Sequence, residues 1–321
     1  MRYGYYPGCS LTNAARPYEI STRAIAGELG LAFDEVEDWN CCGATEYMSL
    51  NKTAAYALIG RNLALAAQSG MRELVAPCSA CYLNLRKTDH YMKKYKPLGK
   101  VTNQALAAGG LHYEPGSLVV RHLLDVIVKD VGYDAISAKV TRPLTGLRVA
   151  PYYGCLIVRP DFNGGSSEDT EYPTHLDHLM EALGAEVVDF PLKTHCCGGH
   201  MTQISADTAY ELIRRLLQNA AEYQADLLVT LCPMCQLNLD AYQSQVNRHF
   251  GTDFNLPILY FTQMIGLAMG LEPKELAIGQ EIVSAASALR KIGTVEEIEE
   301  TAQARRKRDD KSLPMPRIRE G

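Results

Sequence analysis

The chain has 321 residues, 47% of them hydrophobic and 21% charged, with a formal net charge of −5. That length allows two domains or one large one with a sizeable core. The charge gives no overall attraction to nucleic acid or to an anionic membrane, so neither is an expected partner.

Residues 1–6 lack the apolar core of a signal peptide. The longest apolar stretch, residues 256–271, is broken by Thr262 and Gln263 and is too short to span a bilayer. A cytoplasmic protein without a membrane span is therefore expected. In that reducing compartment ten cysteines are ill suited to five structural disulfides, which leaves metal binding or thiol chemistry.

In chain order, Tyr5-Tyr6-Pro7-Gly8 leads into Cys9, and residues 18–29 have helical periodicity before a strand candidate at 31–36. Trp39-Asn40-Cys41-Cys42-Gly43-Ala44 follows, with Trp39 read as a packing residue. Residues 52–68, rich in alanine and leucine, predict a helix stopping at Gly70, and residues 73–77 a strand ending at Cys78. Cys78 and Cys81 form a C-x-x-C. Residues 95–145 carry no counterpart of these motifs and are expected to form a connection, with a turn at residues 112–116 and a helix over 117–129.

The same series then recurs. Tyr152-Tyr153-Gly154-Cys155 answers the first cysteine, Thr194-His195-Cys196-Cys197-Gly198-Gly199-His200 the vicinal pair, and Cys232-Pro233-Met234-Cys235 the C-x-x-C. The offsets are 146, 155 and 154 residues, and the excess falls in residues 161–167, read as a surface loop. Helices are predicted over 174–183 and 207–223, strands over 186–190 and 227–231. From about residue 297 the chain becomes basic and proline-containing, as expected of a solvated, flexible tail, with a partner-docking arm as the alternative. The expected organisation is residues 1–145 as a first domain plus connection, 146–296 as a second, and 297–321 as the tail.

Strands alternating with helices predict an α/β fold of two related, duplicated domains with small parallel sheets flanked by helices. Each cysteine group follows a strand, and open α/β sheets bind ligands at strand carboxyl ends. Cys81 and Cys235 fall in the first turn of the next helix, whose positive end favours thiolate.

Three chemistries could use five sulfurs per half. Zinc needs four ligands and leaves one spare. A redox dithiol needs two. A cluster larger or less regular than a cubane could take all five, and ligand number leans that way. Glycine after each vicinal pair lets two bulky sulfurs share a sharp turn. His195 and His200 flank the second pair, where the first half has Asn40 and Glu46, and are candidate proton donors. Lys193 and Arg159 are candidate anion contacts, although a solvated lysine and a salt-bridged arginine are the commoner fates. Gly164-Gly165 lacks the strand–helix context of a nucleotide site.

The doubled series of lone cysteine, Cys-Cys-Gly and C-x-x-C resembles the cysteine-rich CCG domain found in the catalytic B subunit of heterodisulfide reductase and in its bacterial homologues, over about residues 1–270. The resemblance implies two non-cubane 4Fe–4S clusters. Cys9, Cys41, Cys42, Cys78 and Cys81 would ligate one, and Cys155, Cys196, Cys197, Cys232 and Cys235 the other. It further implies a catalytic B-like subunit that cleaves or forms a disulfide between the clusters, with Cys41, Cys42, Cys196 and Cys197 at the reacting centre; His195 and His200 join them as candidate proton donors on their position alone, with a supporting or surface role as the alternative. The expected partners are a ferredoxin-like C subunit, a flavoprotein A subunit, and a small-molecule or protein-bound disulfide or thiol. The alternatives are an electron-transfer or membrane-docking subunit of a succinate-dehydrogenase-type complex, and a zinc-stabilised structural module in one half.

Overall fold

A computed structural model of the chain describes residues 1–44, 47–160, 162 and 168–294. The expected tail over 297–321, residue Glu46 and most of the expected loop over 161–167 lie outside the described residues.

The first half runs β1 (Arg2–Tyr5), α1 (Gly8–Leu11), α2 (Arg16–Ala26), β2 (Ala32–Glu35), α3 (Tyr47–Leu50), α4 (Lys52–Gln68), β3 (Glu73–Ala76), α5 (Ser79–Lys94), α6 (Lys96–Ala107) and β4 (Val119–His122). A short α7 (Leu123–Val126), a π-helical turn (Ile127–Val131) and α8 (Tyr133–Ser137) lead to the second half. That half runs β5 (Arg148–Tyr152), α9 (His175–Ala182), β6 (Glu186–Val187), α10 (Met201–Ile204), α11 (Ala206–Glu222), β7 (Leu227–Thr230), α12 (Pro233–Ala241), α13 (Gln243–Phe250), β8 (Ile258–Tyr260), α14 (Phe261–Ala268) and α15 (Ala286–Leu289).

The strands form two parallel four-stranded sheets in the orders β2-β1-β3-β4 and β6-β5-β7-β8. The duplicated α/β architecture expected from the sequence is thus present. The central strands are buried on both faces, which is why β7 reads Leu-Leu-Val-Thr without polar alternation. Local signals set the helices. Asn51 caps α4 by accepting from the Ala54 amide at 3.0 Å. α11 buries Ala209, Ile213, Leu216, Leu217 and Ala220, one apolar stripe at helical spacing.

The helix expected over residues 117–129 is corrected. Val119–His122 is a strand, paired with β3 in the register Glu73↔Val119 to Ala76↔His122, and helix begins only at Leu123. Adjacent β-branched Val119 and Val120 favour the pleat, and Val120 is buried against the core. Residues 95–145 therefore do more than connect: they supply α6 and the edge strand β4, which answers β8. The strand expected over 186–190 is also shorter, since β6 ends at Val187.

Each half lends its early helix to the other: α2 packs on α14, and α9 against α7. At this junction the buried Ser21 and Thr262 hydroxyls lie 2.6 Å apart. Tyr18, fully buried, stacks on Tyr260 with centroids 4.4 Å apart, and its hydroxyl reaches the carbonyls of Pro77 at 3.0 Å and Leu231 at 3.3 Å. These carbonyls directly precede Cys78 and Cys232, so one phenol ties together the starts of both C-x-x-C segments. Replacing Tyr18 with Phe leaves both carbonyls without that donor. The expected loss is about 1–3 kcal/mol of unfolding free energy, measured by urea denaturation of metal-free protein. An unchanged midpoint would mean the hydroxyl contributes nothing to the junction.

Candidate functional site

The parallel sheets deliver the cysteines as the strand order requires. Cys9 follows β1, the pair Cys41 and Cys42 follows β2, and Cys78 and Cys81 bracket the turn from β3 into α5. Cys155, Cys196, Cys197, Cys232 and Cys235 repeat this around β5, β6 and β7. All ten are free thiols. Cys9, Cys41 and Cys196 are exposed and Cys155 is half-buried, while Cys42, Cys78, Cys81, Cys197, Cys232 and Cys235 are buried.

The sulfurs meet in a repeated order. Cys9 and Cys41 lie 3.6 Å apart, and Cys42 and Cys81 3.2 Å. Cys41 adjoins Cys42, and Cys81 adjoins Cys78, each pair near enough to shift the other's ionisation. The second half matches with Cys155 to Cys196, Cys196 to Cys197, Cys197 to Cys235, and Cys235 to Cys232. Cys78 and Cys232 are neighbours across the junction, near enough for each to shift the other's ionisation. The ten thiols form one continuous line of contacts, exposed near its ends and buried at its centre. A disulfide needs about 2.05 Å between sulfurs. Two thiolates on one tetrahedral metal, each bound at about 2.3 Å, lie roughly 3.8 Å apart. The two spacings of the first half, 3.6 and 3.2 Å, are those of unlinked sulfurs close enough to share an inorganic group. Among the described residues, no three Cys, His, Asp or Glu side chains converge tightly enough to hold a single ion.

Matched hydrogen bonds hold each loop. Tyr6 donates its hydroxyl to the Asn40 carbonyl at 2.6 Å, and Tyr152 to the His195 carbonyl at 2.7 Å, fixing the residue before each vicinal pair. The Asn84 and Asn238 side-chain amides donate to the carbonyls of Cys42 and Cys197, each at 3.1 Å. Gly8 and Gly154 make room beside the C-x-x-C: a Cβ there would sit 2.8 Å from Cys81 Sγ and 2.9 Å from Cys235 Sγ, at φ +73° and +67°. Gly43 and Gly198 also have positive φ, as the vicinal turns require. These tyrosines and asparagines hold the cysteine loops, and the cysteine motifs alone do not single them out. Their recurrence at the repeat spacing, Tyr-x-x-Cys and Cys-x-x-Asn, is the signal that marks them.

Thiol contacts polarise the set. Bonds from Cys42 and Cys9, then from the Gly43 and Ala44 amides, push Cys41 down to about 2. Cys155, Cys197 and the Gly198 amide push Cys196 down to about 2. Cys42 and Cys197 are pushed up to about 12, chiefly by the neighbouring anion and by burial. The helix-end argument for Cys81 and Cys235 is overridden: both are pushed well up by adjacent thiols and complete burial.

The other expected site residues divide. His195 is exposed and engages the scaffold through its carbonyl, while His200 is half-buried at the start of α10. The expectation of a solvated Lys193 is corrected. It is 1% exposed, donates to Asp177 Oδ1 at 2.9 Å and lies 3.8 Å from the Tyr172 ring centroid. Burying an ammonium demands such a partner, and Tyr153 donates to the other Asp177 oxygen at 2.6 Å. Arg159 donates to the Thr194 carbonyl at 3.0 Å, so it braces the second cysteine loop. Trp39 packs edge-on against Tyr6 and donates to Glu35 at 3.0 Å, in keeping with a packing role.

Comparison with known proteins agrees with this doubled site. A model of the cysteine-rich CCG domain matches residues 3–86 and again 149–240. The 8-methylmenaquinol:fumarate reductase membrane anchor subunit of Wolinella succinogenes is 34% identical over 283 residues, 88% of this chain and 97% of that protein. The B subunit of the ferredoxin:CoB-CoM heterodisulfide reductase of Methanosarcina mazei is 33% identical over 290 residues, 89% of this chain and 95% of that one. Among solved structures, a hypothetical protein from Helicobacter pylori superposes with a TM-score of 0.70 at 13% identity. It covers 88% of this chain, which spans 52% of that one, and it shares the fold.

Two outcomes test this geometry. Alanine at Gly30, where φ is +67° and a Cβ meets nothing within 4 Å, should cost about 1–2 kcal/mol for the backbone alone. Alanine at Gly8 or Gly154 should cost more, because a buried sulfur must move; equal costs in urea denaturation would refute the crowding. In metal-free, reduced protein, alkylation of Cys41 and Cys196 should be flat between pH 5 and 8, because both are already thiolate. An ordinary thiol speeds up about tenfold per pH unit below its pKa. Mass spectrometry of time points reads the difference.

Proposed function

This chain belongs to the cysteine-rich CCG family, and from that premise we propose that it is the B-like subunit of a heterodisulfide-reductase-type complex. The observation that carries the reading is the unbroken line of ten thiols, five per half in matching order. An all-sulfur donor set at non-disulfide spacing fits iron–sulfur ligation. In this reading Cys9, Cys41, Cys42, Cys78 and Cys81 hold one non-cubane 4Fe–4S cluster, and Cys155, Cys196, Cys197, Cys232 and Cys235 the other.

Bound clusters would supply single electrons and soft sites for thiolate sulfur, and two of them match the two electrons that a disulfide takes up. The chain's own residues do the rest. Tyr6, Tyr152, Asn84 and Asn238 fix the ligand loops, so that a change of charge costs little rearrangement. His195 and His200 beside the second pair supply a proton to the departing thiolate, with the water-facing His195 as the route for its replacement. Reduction of one disulfide consumes two electrons and two protons and yields two thiols. The electrons come from partner subunits, a ferredoxin-like subunit and behind it a flavoprotein.

A second reading draws on the Wolinella succinogenes relative, whose name describes a membrane anchor of a fumarate reductase. In that reading the same centres pass electrons at a membrane without disulfide chemistry. No helix among the described residues is long and apolar enough to cross a membrane.

Anaerobically purified protein should hold about eight irons and no zinc, with an EPR signal that changes on adding thiol. Cys41→Ser and Cys196→Ser should each remove about half the iron and abolish disulfide turnover. Full iron with no response to any thiol or disulfide would favour the second reading. Two zinc and no iron would end the redox reading.

A further inference from the structure

The two sulfur sets match in order, but the loops that carry them are not tied together alike. Among the described residues of the first half, one hydrogen bond joins the Cys9 segment to the loop of Cys41 and Cys42, from the Tyr6 hydroxyl to the Asn40 carbonyl at 2.6 Å. The second half has four such bonds. The Tyr152 hydroxyl reaches the His195 carbonyl at 2.7 Å, and Arg159 the Thr194 carbonyl at 3.0 Å. The amides of Tyr153 and Gly154 both donate to the Lys193 carbonyl, at 2.9 and 3.1 Å.

Two exchanges between the halves account for the difference. Counting from the first cysteine of each set, Pro7 stands where the second half has Tyr153, and proline has no amide hydrogen to donate. Counting from the vicinal pairs, Asp38 stands where the second half has Lys193. The Asp38 side chain is 80% exposed, and Arg61 of α4 holds both its carboxylate and its carbonyl. Asn62 of the same helix donates to the Asn40 carbonyl and accepts the Asn40 amide, each at 2.9 Å. The first loop is thus braced mainly by the helix that follows it, and the second by the segment of its lone cysteine.

Lys193 and Tyr153 are joined twice. Besides the bond between their main chains, both side chains donate to the Asp177 carboxylate, Lys193 at 2.9 Å and Tyr153 at 2.6 Å. The Tyr153 hydroxyl also accepts the Leu176 amide at 2.7 Å, which seats the start of α9 on the pair. Lys193 is 1% exposed, and separating a buried ammonium from its carboxylate is strongly unfavourable. Exposure of the lone cysteines follows the same division, since Cys9 is exposed and Cys155 half-buried.

We propose that Lys193 is a positioning residue that locks the Cys155 segment to the Cys196 and Cys197 loop, so that the first cluster site releases its iron before the second. The proposal rests on the cluster-binding reading above and adds to it which half is labile and which residue decides it. A ligand leaves when its segment opens locally, and opening is easier where fewer bonds must break. The Cys9 segment parts from its loop by giving up one hydrogen bond. The Cys155 segment must give up four, with a buried ion pair behind them.

The experiment uses the full chain loaded anaerobically with iron and sulfide. Excess ferrozine captures released iron and reports it by absorbance, while timed samples are alkylated and their cysteines mapped by peptide mass spectrometry. Wild-type protein should release iron in two phases of about four irons each. Cys9 and Cys41 should be alkylated in the fast phase, Cys155 and Cys196 in the slow one. Lys193→Met should speed the slow phase about tenfold, the factor that one hydrogen bond to a charged group is worth, and leave the fast phase as it is. Lys193→Arg, which keeps the charge for Asp177, should restore the slow phase. A general loss of stability would instead speed both phases together. Should Lys193→Met fail to fold, Tyr153→Phe removes one hydroxyl and should shift the slow phase in the same direction. Release in a single phase, earlier alkylation of Cys155 and Cys196, or equal acceleration of both phases by Lys193→Met would each overturn the proposal. Amide hydrogen exchange of metal-free protein separates it from the cluster reading: the segment of Tyr153 and Gly154 should be protected, and less so in Lys193→Met. That pattern in a protein that takes up no iron would keep Lys193 as the lock and sink the cluster reading. Full iron with equal release from both halves would do the reverse.

Discussion

The contact between Cys78 and Cys232 constrains the whole molecule. Two buried thiols from distant parts of the chain can meet only if both C-x-x-C segments start at one point, and the fold is arranged to bring them there. β3 and β7 end at the junction, and Tyr18 reaches the carbonyl before each cysteine. The exchanged packing of α2 on α14 and of α9 against α7 closes the interface. From that centre the line of sulfurs runs outward through each half to a solvent-exposed vicinal cysteine. A parallel sheet suits the task because successive strands deliver loops to the same edge without lengthening any one of them.

Holding five sulfurs in a loop-rich crevice has a cost that the hydrogen-bond scaffold offsets. Consecutive cysteines expose backbone groups in a tight turn, and a buried carbonyl without a donor is destabilising. Each half answers with the same pair, a tyrosine hydroxyl before the vicinal cysteines and an asparagine amide on the second of them. Because these donors lie just after β1 and in α5, or in β5 and α12, their positions are set by the sheet and the helices that follow its strands. The ligand loops are therefore rigid, as a site needs to be if its charge changes while its geometry does not.

The cysteine framework was legible in the sequence because thiols are scarce and their spacing repeats. The helix at Lys52–Gln68 was legible because an alanine- and leucine-rich run with an Asn cap admits little else. β4 was not. A four-residue edge strand carries little periodicity, and the helical Leu123–Val126 just after it lends a helical appearance to the window. The burial of Lys193 was illegible for a different reason: it depends on Asp177 and Tyr153, which are near it only after folding. Composition gives the usual fate of a lysine, and tertiary pairing decides this one. The same holds for Cys81 and Cys235, where local helix position pointed to thiolate and the surrounding thiols reversed it.

The differences between the halves say more about function than their agreement does. Where the first half has Asp38, exposed and paired with Arg61, the second has the buried Lys193. Where the first has Asn40, the second has His195, and Arg159 adds a further donor to the second loop. Each cysteine loop thus has one arginine on it, Arg61 through the Asp38 carbonyl and Asn40 in the first half and Arg159 through the Thr194 carbonyl in the second, and the second differs in its imidazole and its buried Lys193–Asp177 pair. A bare duplication would give the two sulfur sets the same surroundings. This one gives them unequal surroundings, so that on the proposed disulfide reading the two released thiols would meet different neighbours.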